Sequence, residues 1–189
     1  MNNKGFTLIE ALVSISIFIA ISVTLAQVIT VSIQNQIKVI SEQNMFDQAV
    51  FALDQMEKEL RMAKKDTDGI CVVPGTNYGR NNSSSTIKFK IYDQASADYR
   101  CREFSLNDNS NSVRQRTSTN SSPLIWGDYI DLTSSSVYVQ SLSFTVNGDN
   151  DSDNEQPKVT INLKMKSGVI DDSEGVELQT TISQRRLDF

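Results

Sequence analysis

Apolar residues run almost unbroken from Phe6 to Ile33, with a single charge, Glu10, in that 28-residue stretch. No proline or glycine occurs between Phe6 and Lys65, 60 residues that would span about 90 Å as one helix. The first half of this segment is apolar all round and suits lipid or the flanks of similar helices. Ser14, Ser16, Ser22 and Thr24 interrupt it, and their hydroxyls can bond back to the helix's own carbonyls or let another helix approach closely. Near Gln34 the pattern changes. Phe46, Ala49, Val50, Leu53, Met56, Leu60 and Ala63 recur at steps of three and four, the stripe of a helix with one covered face. Glu57 and Arg61 stand i,i+4 apart, as do Asp54 and Lys58. Asp66-Thr67-Asp68-Gly69 is a stop, with Gly69 free to turn.

After Gly69 the period falls from 3.6 to 2. Ile87, Phe89 and Ile91 alternate with Lys88 and Lys90. Val159, Ile161, Leu163 and Met165 alternate with polar neighbours, and Val176, Leu178 and Ile182 form a further set. Val137 and Val139 share one parity while Leu142, Phe144 and Val146 share the other, which predicts a bulge near Gln140 or Ser141. One apolar face per strand predicts antiparallel sheet, half covered by the amphipathic part of the long helix. The fold class is therefore α+β: a long N-terminal helix on a C-terminal antiparallel β-domain. The stretch from Asn107 to Ser122, rich in Asn and Ser, reads as a loop.

Charge refines the picture. The chain is acidic, with 18 Lys and Arg against 23 Asp and Glu, a net charge of −5. Nothing global points to nucleic acid. Arg100, Arg102, Arg114 and Arg116 carry local positive charge, but the sequence shows no aromatic interleaving to support base stacking. Lys4 is the only charge ahead of the apolar run, which places the N-terminus on the cytoplasmic side and the rest of the chain outside the cytoplasmic membrane. In an oxidising compartment Cys71 and Cys101 read as one disulfide, against the alternative of two buried thiols. Without histidine the usual nucleophile–base pairs are missing, and no phosphate-binding glycine loop is present, so the sequence does not read as an enzyme. Asp149, Asp151, Asp153 and Glu155 alternate in a way that suits calcium. The match to a calcium loop is incomplete, since position six would be Asn154 and position twelve Thr160, so a solvated hairpin turn is the favoured reading and calcium the lesser one. Asn-x-Ser strings at Asn81, Asn82 and Asn120 match a glycosylation pattern of low specificity.

One string carries more than composition. Lys4 precedes Gly5-Phe6-Thr7-Leu8-Ile9-Glu10 at the head of the apolar run. An isolated carboxylate in such a segment costs roughly 2.5–3.5 kcal/mol or more at a helix centre, so it needs a partner. The string resembles the processing site of type IV pilin-like proteins: pilins, minor pilins and type II secretion pseudopilins. The resemblance implies cleavage between Gly5 and Phe6 by a prepilin peptidase and N-methylation of Phe6. It implies that Glu10 pairs with the Phe6 amine of a neighbouring subunit during assembly. It also implies partners: other pilins or pseudopilins and an inner-membrane assembly platform. On this reading residues 1–5 are a leader, 6–33 the membrane and assembly helix, 34–66 an amphipathic helix and 67–189 an extracytoplasmic β-rich domain. Later motifs, among them Leu53-x-x-Met56-x-x-x-Leu60-Arg61-x-Ala63, Tyr99-Arg100 and Leu178-Gln179-Thr180-Thr181-Ile182-Ser183, are similar to J-type minor pseudopilins and W-type minor pilins. Many major pilins have a proline in the lipid-embedded helix; its absence here points toward a minor component. The competing function is a filament-tip binding module, an adhesin or DNA-uptake component on the same scaffold.

Overall fold

The computed structural model describes residue 5 and residues 7–80, 84–121, 124–149, 155–168 and 175–184. Helix α1 spans Leu8–Leu60, and among the described residues nine strands follow it. The chain divides into two compact units, Met1–Ser41 and Glu42–Phe189.

The first unit is the apolar part of α1. Its large side chains face outward, among them Ile9 at 71% and Phe18 at 72% exposure. An apolar surface of this extent is uncommon on a soluble monomer and marks a membrane or assembly surface. Several of its hydroxyls bond within the helix. Ser14, Ser16 and Ser22 donate to the carbonyls of Glu10, Leu12 and Phe18, and Thr24 to that of Ile21, at 2.7–2.8 Å.

The second unit holds the rest of α1 and two antiparallel sheets. The larger contains β1 (Tyr78–Arg80), β2 (Thr86–Asp93), β3 (Asp98–Asn107), β4 (Ser112–Ser121) and β5 (Leu124–Trp126) in chain order, with β6 (Ile130–Asp131) also paired to β4. The smaller contains β7 (Val137–Asn147), β8 (Lys158–Ser167) and β9 (Val176–Ser183). Helix and sheets share one core: Met45, Ala49, Ala52, Leu53, Met56 and Leu60 meet Ile87, Phe89 and Phe104 of the larger sheet and Phe144, Ile161, Leu163 and Met165 of the smaller. The register of β7 on β8 shifts between Val139 and Ser141, the bulge that brings both parities of β7 onto the core.

Three expectations need correction. The covered stripe of α1 is rotated from the one predicted. Met45 and Ala52 are buried, whereas Phe46 is 49% and Val50 is 37% exposed. The helix also ends at Leu60, before Lys65. The Met62 and Ala63 amides tighten to i,i+3 bonds, the Tyr78 hydroxyl donates to the Leu60 carbonyl (2.8 Å) and the Gln184 amide to that of Ala63 (2.8 Å). The Lys64 amide then bonds the Lys90 carbonyl of β2, so strand pairing takes the chain from the helix. Finally, much of the Asn107–Ser122 stretch is strand β4, paired to β3, β5 and β6. Its only large apolar residue is Val113, so a period-2 hydrophobic pattern could not reveal it. Gly69 makes the predicted turn at φ +68°, where a Cβ would meet Pro74.

Candidate functional site: the capped N-terminus and the sheet's outer face

Thr7 and Glu10 build the start of α1. The Glu10 amide donates to the Thr7 hydroxyl (3.4 Å), and the Thr7 hydroxyl donates to the Glu10 carboxylate (3.5 Å). This Thr-x-x-Glu spacing is that of a capping box, and an acid in the first turn also suits the positive end of the helix dipole. Both contacts are long and Glu10 is exposed, so its carboxylate remains available to a stronger donor. Gly5 is exposed. Phe6 lies outside the described residues.

Residues 1–26 match the family model of the prokaryotic N-terminal methylation motif. This motif supports a type IV pilin-like protein. The apolar helix that begins within the motif fits membrane anchoring: among the described residues one helix, Leu8–Leu60, is long and apolar enough to cross a bilayer. The motif points to a structural subunit that assembles with other pilins, not to an enzyme. Neither the curated proteins nor the solved structures include a match to the chain.

In the β-domain of this pilin-like protein, Cys71 and Cys101 form a disulfide with Cα atoms 5.3 Å apart. It fixes the loop after α1 to β3. Buried Asp66 organises the same loop by accepting from the Cys71 (2.6 Å) and Val72 (3.1 Å) amides and pairing with Lys90 (3.2 Å). Burial pushes the Asp66 carboxyl up, but those two amides and the Lys90 ammonium outweigh it and hold the carboxyl below its ordinary range.

The acidic run is only partly described. Asp151 and Asp153 lie outside the described residues. The Asp149 carboxylate accepts from the Asn77 (2.8 Å) and Tyr78 (3.2 Å) amides, which clips the end of β7 to the start of β1. Glu155 is exposed. Among the described residues no group of three or more metal-ligating side chains comes together. Asn81 and Asn82 also lie outside the described residues; Asn120 is exposed on β4.

The four arginines do not form one patch. Arg102 turns to the helix side and pairs with Glu59 (2.5 Å). Burial pushes the Glu59 carboxyl up, and the Arg102 and Gln55 contacts only partly offset it. Arg100 donates to the Thr119 carbonyl. Arg114 and Arg116, two apart on β4, share the outer face with Glu103 of β3 and Lys88 of β2. There the structure corrects the sequence reading, because aromatics do interleave with these cations. Trp126 and Tyr129 arrive from the segment after β4 and lie against the Arg114 and Arg116 guanidiniums. The Arg-x-Arg spacing on a strand was the available signal; the rings come from 10 or more residues downstream.

Proposed function

We propose that this protein is a minor pilin or pseudopilin, a structural and assembly subunit of a type IV pilus or a type II secretion pseudopilus. Its leader, residues 1–5, is removed between Gly5 and Phe6 by a prepilin peptidase, and Phe6 is N-methylated. Residues 6–33 hold the subunit in the cytoplasmic membrane with the N-terminus inside. Residues 34–66 carry the chain to a β-rich domain, 67–189, outside the membrane. Subunits then leave the bilayer through the assembly platform into a filament. The missing helix proline and the order of motifs through the β-domain support a minor component close to the J-type pseudopilins and W-type minor pilins.

The observation that carries this reading is Glu10, one charge in an apolar surface that is exposed throughout the described part of the helix before Ser41. Among the described residues its carboxylate has only the long Thr7 contact. The Phe6 amine freed on an adjoining subunit supplies the missing opposite charge, and the pair forms only in the correct axial register.

Glu10→Val is the test. Membrane insertion should persist, since an apolar helix loses only its unfavourable charge. Incorporation into sedimentable filaments should fall about tenfold or more, the loss expected for a charge-assisted bond worth roughly 1.5–3 kcal/mol. Recovery of the variant with its filament partners at wild-type levels would sink the mechanism.

A further inference from the structure

The outer face of the larger sheet carries a chain of alternating rings and guanidiniums. The Arg116 guanidinium lies over the Trp126 ring (4.4 Å to its centroid) and over the Tyr129 ring (4.5 Å). Arg114 lies over Tyr129 as well, at 3.9 Å. Lys88 stands over Trp126 at 5.6 Å. Under them sits Glu103, 2% exposed, which accepts from Arg116 (2.9 Å) and the Tyr129 hydroxyl (2.8 Å) and pairs with Lys88 (3.3 Å).

Three cations share this face with two acids: Asp131 of β6, the register partner of Arg114, which accepts from the Ser112 hydroxyl (2.7 Å), and Glu103. Arg116 and Lys88 both converge on Glu103. Among the described residues Arg114 has no carboxylate within ion-pair distance; its Nε donates to the Ser105 hydroxyl (3.0 Å) and its terminal nitrogens have no hydrogen-bond partner there. The Tyr129 ring beside the Arg114 guanidinium restricts its freedom, so its terminal N–H edge is partly ordered before any partner arrives. Tyr129 is 39% exposed. Half-exposed Trp, Tyr and Arg in one patch is the composition of an interface centre.

We propose that this face docks a carboxylate-bearing segment of a protein partner, with the Arg114 fork as its bidentate anchor. The choice of partner follows from the geometry. A planar carboxylate matches the fork of two N–H donors. A single-stranded nucleic acid would need bare rings for its bases, and here the guanidiniums already lie over them. The surplus of positive charge sits in a chain of net charge −5, so it stands out against its own surroundings. The inference rests on the sheet alone and is independent of the filament reading.

The test uses the full-length chain in non-ionic detergent and three fluorescent probes: hexaglutamate, a neutral hexapeptide and a six-nucleotide single-stranded DNA. Hexaglutamate should bind in a salt-dependent way, and the neutral peptide should not. Arg114→Gln should weaken hexaglutamate about tenfold or more, the worth of one charge-assisted contact. It removes no ion pair, so near-wild-type circular dichroism is expected. Arg114→Lys retains the charge and guards against loss of fold in the glutamine variant; it should weaken binding severalfold because the fork is gone. The proposal is overturned if hexaglutamate fails to bind the wild type, if neither variant weakens it, or if the DNA binds as tightly and shows the same loss with Arg114→Gln.

Discussion

Buried acids set how this β-domain responds to pH, and they pull in opposite directions. Asp66 and Glu103 have folded-state pKa values below their ordinary ones: burial raises both, but amides and Lys90 outweigh it at Asp66, and Arg116 and Tyr129 outweigh it at Glu103. Their contribution is present above the unfolded-chain pKa and is lost as pH falls through the folded one. Glu59 is the reverse. Burial raises its carboxyl above 4.5, so the folded chain binds a proton that the unfolded chain has already released, and stability falls as pH rises through that window. Glu59→Gln should remove this opposing slope. Stability measured by urea unfolding should then fall less with pH from about 4.5 upward than in the wild type. An unchanged slope would show that Glu59 titrates like an exposed glutamate. Composition gave no sign of these burials, since Asp66 sits in what reads as a polar helix stop and Glu103 in a mixed strand.

Helix α1 shows what periodicity can and cannot resolve. Its existence, its apolar start and its amphipathic end were plain from the absence of breakers and the three- and four-residue steps. The exact face was not, because Met45-Phe46, Ala49-Val50 and Leu53 offer two overlapping stripes. The core selects the one with small residues, where Ala49 and Ala52 let the helix lie close to the sheets. Met45→Ala should therefore destabilise the domain by about 2–4 kcal/mol. Phe46→Ala, the larger deletion, should cost less than about 1 kcal/mol. Paired denaturant titrations decide it, and the opposite ranking would restore the face that sequence alone favoured. Strands with strict alternation, such as β8, were legible residue by residue, and so was the β7 bulge. Strand β4 was not: its order comes from its ladders with β3, β5 and β6 and from the rings stacked on Arg114 and Arg116, neither of which a local pattern can encode.

For the molecule as a whole, the sequence divided labour correctly between an apolar N-terminal helix and an α+β domain closed by Cys71–Cys101. The compartment implied by Lys4 and the apolar run was what made a disulfide the better reading, and the two thiols do meet. The methylation motif lies in residues 1–26, at the head of the apolar helix. The outer-face cations of the β-domain lie far apart in sequence from the rings that order them, so only the fold brings them together.

The fate of residues 1–5 is the most direct test of the pilin-like reading. Intact-mass and N-terminal analysis of the protein from membranes of cells with and without an active prepilin peptidase would read it. With the peptidase, the chain should begin at Phe6 and carry one methyl group on its amine; without it, Met1 should remain. A chain that still begins at Met1 in the presence of the active enzyme would contradict the account.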